Sequence, residues 1–280
     1  MEEKYTTQQV QHGLLRMMKY IDRICRENGL TYYLAFGTLL GAVRHHGFIP
    51  WDDDLDVWMP REDADKFREI VNSTPDNRYF YADLTSTNEW VKCCGQLWDT
   101  HAEYEYPWLK YGRHIGMFID ILVLDGYPES KLGQKAEKLK LIFNHAMMTS
   151  SNHVYFPAEE KSIRIKKILK PFASLFGPHF WGKASENAAR RRKIADYDMI
   201  GDCRSIGYVR KDYFWPRDWF RSTVEMPFED TSFLVPVEYE KILVSLYGDY
   251  MKLPPEDKRV SEHIFKVIRL ADEDIDIEQK

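Results

Sequence analysis

The spacing of apolar residues predicts helices and strands that alternate along the first half of the chain. Apolar residues from Val10 to Ile24 recur every three or four positions, which indicates an amphipathic helix that Gly29 ends. Apolar runs predict strands at TYYLAF (31–36), LDVWM (55–59), EWVKCCGQLWD (89–99) and GMFIDILVLDG (116–126). Helical patterns cover 39–44, 61–73, 130–153 and 238–247. We expect Thr38 to cap the short helix at 39–44, and 234–237 to be a loop.

This order of elements predicts an α+β protein with a mixed β-sheet of modest size, flanked by helices. The strand-forming segments are concentrated before residue 128. We therefore expect one unit at 1–128 that carries the sheet. A mainly helical region at 129–280 would follow, with its C-terminal segment packing back on that core.

Composition and charge narrow the class of protein. The 280 residues include 44% hydrophobic and 30% charged residues, as in ordinary soluble globular proteins, and no apolar run is long enough for a transmembrane helix. The polar, acidic N-terminus predicts no signal peptide and hence a cytoplasmic protein. The net charge is −5, although 161–193 holds ten Lys or Arg and one acid. An acidic remainder argues against nucleic-acid binding.

Candidate chemistry is concentrated in FGTLLGAVRHHGFIPWDDDLDVWMP, residues 36–60. In an extended chain, Asp52, Asp54 and Asp56 would share one face, and the residues between them would share the other. Aligned carboxylates repel one another unless a cation neutralises them, and hard oxygen ligands suit Mg²⁺ or Mn²⁺. Asp120 lies inside another apolar strand, where a carboxylate needs a partner. If the two strands are neighbours, Asp54, Asp56 and Asp120 converge.

Three interpretations of these acids compete. A solvated acidic loop accounts for Asp52 and Asp53, but poorly for acids inside apolar runs. A calcium loop would begin with the same alternation of Asp, yet Val57 stands where that loop requires glycine. A metal-dependent phosphoryl-transfer site accounts for the acids best. In that site the backbone of Gly37 and Thr38, at a helix N-terminus, would contact the phosphate that the metal also binds.

The sequence also resembles a known family. GTLLGAVRHHGFIPWDDDLDVWMPRED (37–63) is similar to the signature of LicD-type proteins, which include bacterial phosphocholine transferases and relatives of fukutin-related protein. WVKCCGQLWDT (90–100), GMFIDILVLDGYP (116–128) and VPVEYEKILVSLYGDYMKLPPEDKR (235–259) also fit the family. The resemblance implies a nucleotidyltransferase-like catalytic core in 1–128.

The resemblance also implies residue roles. Gly37 and Thr38 would contact the donor phosphate, and Asp54, Asp56 and Asp120 would be the metal-binding and catalytic acids, with Asp120 as ligand, base or both. Asp52, just upstream, would bind the metal or support its ligands. From residue type and position, Arg44 and Lys92 are candidate phosphate clamps, and surface charges are the alternative.

The activity that the resemblance implies is Mg²⁺- or Mn²⁺-dependent transfer of a phospho-alcohol from a CDP-linked donor. The first candidate is phosphocholine, with CDP-choline as its donor. The acceptor would be a sugar hydroxyl of a cell-surface glycan, lipopolysaccharide or teichoic acid precursor, in some cases lipid-linked. Two rival functions remain open. One is true nucleotidyl transfer with release of pyrophosphate, and the other is a non-catalytic glycan- or metal-binding accessory protein.

The basic segment 164–183 predicts peripheral contact with the inner face of the cytoplasmic membrane. It combines Lys and Arg with Ile, Leu, Phe and Trp, as interfacial segments do. The alternative is a pair of amphipathic helices that pack on the core and keep their charges in water. Pro171 and Gly177-Pro178 are expected to break any single long helix, which favours the alternative.

Overall fold

The computed structural model describes residues 5–75, 78–92, 94–155, 163–209, 211–260 and 265–275. The helices in these residues are α1 (Thr7–Asn28), α2 (Phe36–His45), α3 (Arg61–Ser73), α4 (Lys131–Asn152), α5 (Ile163–Phe176), α6 (Pro178–Arg190), α7 (Cys203–Val209), α8 (Tyr239–Tyr247) and α9 (Asp272–Ile275). The strands are β1 (Tyr33–Leu34), β2 (Asp56–Pro60), β3 (Tyr79–Ala82), β4 (Gly95–Glu105), β5 (His114–Tyr127), β6 (Met199–Asp202), β7 (Phe214–Pro216), β8 (Thr223–Phe228), β9 (Thr231–Pro236) and β10 (Lys266–Arg269). No helix in these ranges is long and apolar enough to cross a membrane.

The predicted α+β class is confirmed: within the described ranges the centre of the fold is a mixed eight-stranded sheet. Its main order is β1-β2-β5-β4-β10, while β3 also pairs with β4, and β6 and β7 extend the sheet from β5. β8 and β9 form a separate hairpin. Strands from beyond residue 128 thus pair with β5 and β4. The boundary between 1–128 and 129–280 stays a prediction.

Local sequence explains where the long elements begin and end. Thr6 caps α1 in a reciprocal capping box with Gln9, and Gly29 ends the helix in the left-handed conformation with φ 62°. α3 follows β2 without a linker and carries Glu62 and Asp63 in its first turn, where the helix dipole favours acids. These boundaries agree with the predictions from apolar spacing.

Other predicted boundaries are wrong. The strand predicted at 31–36 pairs only over Tyr33–Leu34, and the strand predicted at 89–99 begins at Gly95, with Cys93 outside the described residues. Residues 234–236, predicted as loop, belong to β9. Thr38 lies inside α2 and does not cap it. These segments are too short to show a period, so tertiary pairing decides their conformation.

A buried ion-pair network connects α3 to β5 and α6. The Arg61 guanidinium donates to both carboxylate oxygens of Asp125, at 2.9 and 2.6 Å, and also pairs with Glu186. The Asp125 side chain is only 1% exposed. The bidentate geometry offsets the cost of desolvating both charges. It also fixes α3 against β5, the strand that carries one of the candidate acids.

We predict that Arg61→Met lowers the free energy of unfolding by about 3–5 kcal/mol, because it leaves the Asp125 charge buried without its partner. Arg23→Met is the matched control. Arg23 pairs with Glu27 at 3.1 Å, but both side chains are 55% exposed, so its loss should cost no more than about 0.5 kcal/mol. Urea unfolding measures both variants, and equal losses would contradict a structural role for the buried pair.

Candidate active site

The sheet places two of the predicted acids side by side. β2 and β5 are parallel, and their register pairs Asp56 directly with Asp120. Adjacent strands lie about 4.8 Å apart and paired residues project from the same face, so the two carboxylates are neighbours. The Asp120 N–H also donates to the Leu55 carbonyl at 3.1 Å. The condition stated for convergence, that the two strands are neighbours, is therefore met for Asp56 and Asp120.

Asp120 is held by side chains of β4. It is 7% exposed, and the Gln96 amide nitrogen donates to its Oδ1 at 2.6 Å. The indole N–H of Trp98 can only donate, and it does so to the Gln96 Oε1 at 2.7 Å, which fixes the orientation of the amide. The Cys94 Sγ lies 3.8 Å from the same carboxylate oxygen. The network thereby fixes the orientation of the Asp120 side chain.

Gln96 is a site residue that the sequence pattern does not reveal. Its signal is a single amide in an otherwise apolar strand, between Gly95 and Leu97. Its meaning depends on the register of β4 against β5, which places Gln96 opposite Asp120. Strand register is a tertiary property that this stretch of sequence does not specify on its own.

The N-terminus of α2 clamps the backbone of Asp56. The Asp56 N–H donates to the Thr38 hydroxyl at 2.8 Å, and the Asp56 carbonyl accepts from the Ala35 N–H at 3.0 Å. The Thr38 side chain therefore connects α2 to β2. Phe36, the first residue of α2, has φ 40°, a strained value for a residue other than glycine, and its ring packs against Trp58 at 5.0 Å.

The same N-terminus presents backbone donors beside another acid. The N-cap residue of α2 is Ala35, whose side chain cannot accept a hydrogen bond from the first N–H groups of the helix. A Cβ placed on Gly37 would lie 3.0 Å from the Asp52 Oδ2, which shows how closely that carboxylate approaches the helix. The Gln11 amide fixes the loop at this point by donating to the Asp52 carbonyl at 2.8 Å.

The charges of the four acids influence two different tyrosines. Burial raises the pKa of the Tyr247 hydroxyl, and the charges of Asp56, Asp52 and Asp54 raise it further, although the residue as a whole is 43% exposed. Burial also raises the pKa of Tyr104, to which the charge of Asp53 contributes. β2 begins only at Asp56, so the other three acids lie in the preceding loop. Tyr247 on α8 thus lies beside the candidate acids.

The two candidate phosphate clamps occupy different surroundings. Arg44 donates to the Tyr250 carbonyl at 2.9 Å and, among the described residues, pairs with no carboxylate. Burial lowers the pKa of its guanidinium, and Tyr247 opposes that effect, which places Arg44 on the α8 side of the site. The Lys92 Nζ lies over the rings of Trp90 and Tyr106, at 4.4 and 4.9 Å, in the loop before β4. Both roles remain predictions.

The chemistry of the acids fits a hard divalent cation, because carboxylate oxygens are the ligands that Mg²⁺ and Mn²⁺ prefer. Asp56 and Asp120 are brought together by strand pairing. However, no three His, Cys, Asp or Glu side chains of the described residues form a ready-made metal site. Metal binding by Asp54, Asp56 and Asp120, supported by Asp52, therefore stays a prediction.

A cavity of about 850 Å³ lies at the other end of the same strands. Pro60 and Leu124 form part of its wall, with Phe220, and Arg190 and Arg221 are among its charged residues. Pro60 and Leu124 each lie four residues beyond the Asp56–Asp120 pair, or about 13 Å along a strand. This cavity is therefore separate from the candidate active site.

We predict that Gln96→Met lowers the free energy of unfolding by about 1–3 kcal/mol, because Asp120 and the Trp98 indole each lose a buried hydrogen-bond partner. Gln134→Met is the control, since its amide makes one exposed contact of 3.3 Å, and it should change stability by less than about 0.5 kcal/mol. Urea unfolding of the two variants tests the network. A Gln96→Met variant as stable as the control would contradict it.

Comparisons with known proteins identify relatives along nearly the whole chain. Residues 29–171 match the LicD/FKTN/FKRP nucleotidyltransferase domain. The chain is 32% identical over 282 residues to the lipopolysaccharide cholinephosphotransferase LicD of Haemophilus influenzae, covering 94% of this chain and 97% of that protein. It is also 32% identical over 124 residues to human ribitol 5-phosphate transferase FKRP, covering 43% of this chain and 22% of that protein. The chain therefore belongs to the LicD family, with a nucleotidyltransferase-like fold.

Proposed function

We propose that this protein transfers phosphocholine, or a related phospho-alcohol, from a CDP-linked donor to a hydroxyl of a cell-surface glycan. Lipopolysaccharide and teichoic acid precursors are the proposed acceptors. Family membership and similarity along nearly the whole chain make it an enzyme that transfers substituted phosphate groups. The observation that carries the proposal is the Asp56–Asp120 pair beside the N-terminus of α2.

The donor diphosphate would bind between α2 and the acids. Backbone N–H groups at Gly37 and Thr38 would donate to its oxygens, as helix N-termini do to anions. Arg44, with its charge unpaired among the described residues, would compensate for phosphate charge on the α8 side of the site. The Thr38 hydroxyl is already bonded to the Asp56 backbone, so we assign its phosphate contact to the N–H.

The acids would hold Mg²⁺ or Mn²⁺ between protein and donor. Asp56 and Asp120 are the paired ligands in this proposal, with Asp54 as the third and Asp52 in support. A bound ion there would offset the negative charge of the diphosphate and of the leaving CMP. We propose this arrangement because neighbouring carboxylates repel one another, and a divalent cation between them would lower that repulsion.

Transfer requires one P–O bond to break and another to form. The bond between the phosphocholine phosphorus and the bridging oxygen breaks, the acceptor hydroxyl oxygen bonds to that phosphorus, and CMP leaves. The acceptor proton needs a base, and Asp120 is the candidate because Gln96 fixes its orientation. In this proposal Asp120 acts as ligand, as base or as both.

We further propose that the enzyme works in the cytoplasm, peripherally at the inner face of the membrane, where lipid-linked glycan precursors would be accessible. The LicD relative carries lipopolysaccharide in its name, which supports an acceptor of this class. The headgroups to be compared are choline, ethanolamine, glycerol and ribitol, and the FKRP relative supports including ribitol.

We predict that Asp56→Asn abolishes transfer without destabilising the apoprotein, because it removes repulsion between carboxylates. Loss of an outer partner of a metal site already costs about 10–100-fold, so loss of a ligand should cost more than ~100-fold in turnover. Asp53→Asn is the matched control, since the charge of Asp53 contributes to the raised pKa of Tyr104 and not to that of Tyr247. Near-normal activity of Asp56→Asn with Mg²⁺ would remove the acid pair from the mechanism.

We predict that CDP-choline raises the melting temperature with Mg²⁺ present, since a ligand that binds only the folded state stabilises it by mass action. A panel of CDP-ethanolamine, CDP-glycerol and CDP-ribitol ranks the headgroups. The Asp56→Asn variant should show no Mg²⁺-dependent shift.

Mass analysis of the acceptor then identifies the reaction. A gain of one phosphocholine with release of CMP supports the proposal. Addition of a nucleoside monophosphate with release of pyrophosphate would instead identify a nucleotidyltransferase. Binding of donor and metal without any turnover would identify an accessory protein.

A further inference from the structure

Helix α5 presents an apolar stripe to solvent. Its exposed apolar residues follow helical spacing of three and four positions, and each is between 52% and 78% exposed: Ile165, Ile168, Phe172, Leu175 and Phe176. Residues at this spacing lie on one face of a helix. A monomeric protein ordinarily buries such a stripe, so its exposure indicates a contact with something outside the chain.

Aromatic residues extend the stripe onto the neighbouring helices. The rings of Phe176 and Phe180 stack with centroids 5.0 Å apart, and Phe172 lies 5.8 Å from Phe176. Phe143 of α4 approaches Trp181 of α6 at 5.8 Å. Trp181 itself is buried, whereas Phe143 and Phe180 are about half exposed; we call Phe143, Phe180 and the α5 stripe the apolar face. It is contiguous, which scattered surface hydrophobic residues are not.

The packing of α5 fixes which side faces outward. Ala173 is fully buried and Lys166 is 8% exposed, so the side of α5 that carries them packs inward. The sequence-based alternative is met in part: α6 packs on the core through Trp181, and Arg164 and Lys167 are exposed, but the α5 stripe does not pack on the core. Pro171 lies within α5 without ending it, and Gly177, with φ 74°, separates α5 from α6.

Exposed basic side chains lie along the apolar face. Arg164 and Lys167 on α5 and Lys183 on α6 are exposed, and the sequence from 163 to 183 contains no Asp or Glu. This positive segment belongs to a chain whose net charge is −5. A surface that is both apolar and basic complements an anionic lipid bilayer, which offers negative headgroups above hydrocarbon.

We propose that the apolar face docks on the surface of an anionic bilayer, with Ile168, Phe172 and Leu175 entering the headgroup region. Arg164, Lys167 and Lys183 would contact the lipid phosphates. A second copy of the chain fits less well, because a two-fold interface places the same patch on both sides and would bring these cations together. Docking of this kind does not depend on the transfer reaction, and it is tested without donor or acceptor.

Co-sedimentation of the full chain with vesicles tests the proposal. The experiment compares two kinds of vesicle. One is phosphatidylcholine with about 30% of the anionic lipid phosphatidylglycerol, and the other is pure phosphatidylcholine. We expect at least tenfold tighter binding to the anionic vesicles at low salt, and weaker binding as salt is raised. Equal binding to both vesicles, or none to either, would overturn the proposal.

Variants separate the two contributions to docking. The double variant Ile168→Glu with Leu175→Glu should reduce vesicle binding at least tenfold, and so should Arg164→Glu with Lys167→Glu. The control Val260→Glu changes an exposed apolar residue outside these helices and should leave vesicle binding unchanged. Lys166 and Lys170 are unsuitable targets, because the first is buried and the second donates to the His153 carbonyl at 2.7 Å.

Two controls make the result decisive. Each variant must melt within a few degrees of the wild type, as expected for exposed positions. Gel filtration without vesicles then tests for self-association. A dimer that Ile168→Glu with Leu175→Glu converts to monomer, in a protein that ignores anionic vesicles, would assign the apolar face to a second copy and overturn the membrane proposal.

Discussion

The candidate site depends on how firmly the backbone of Asp56 is held. Its N–H is bonded to the Thr38 hydroxyl, its carbonyl accepts from Ala35, and its strand is in register with Asp120. Two carboxylates about 5 Å apart repel by roughly 1–3 kcal/mol at effective dielectric constants between 20 and 80. A single hydrogen bond contributes about 1 kcal/mol, so one contact would not suffice. Several contacts together hold Asp56 in register with Asp120.

The rest of the fold fixes the strands that carry this arrangement. Arg61 and Asp125 attach α3 to β5, and on β4 the buried Asp99 accepts from Arg16 of α1 at 2.8 Å. Both networks are built from buried charges whose partners are themselves positioned by helices. Such pairs add little net stability over apolar residues, but breaking one is costly, which favours a single arrangement of these strands. Asp56 and Asp120 thus lie on a firmly held sheet, while Asp52, Asp53 and Asp54 lie in the loop before β2.

Strong periodicity and local chemistry made part of the structure predictable. The amphipathic α1, the start of α3 directly after β2 with acids in its first turn, and the apolar β5 are evident from the sequence. Gln96, the loop around Lys92 and the outward stripe of α5 are not evident. Strand register places Gln96, the Lys92 ammonium lies over an aromatic ring of the loop before β4, and the orientation of α5 depends on what its other side contacts. These are tertiary effects, which the local pattern of residues does not specify on its own.

The most direct measurement of the central claim is a crystal structure with Mn²⁺ and CDP-choline. Mn²⁺ scatters anomalously, so its position can be assigned independently of the protein atoms. Our account predicts an anomalous peak between Asp56 and Asp120, with the diphosphate of the donor reaching from that ion to the backbone N–H groups of Gly37 and Thr38. A donor bound in the cavity beside Pro60 and Leu124, or a metal ion away from both acids, would contradict it.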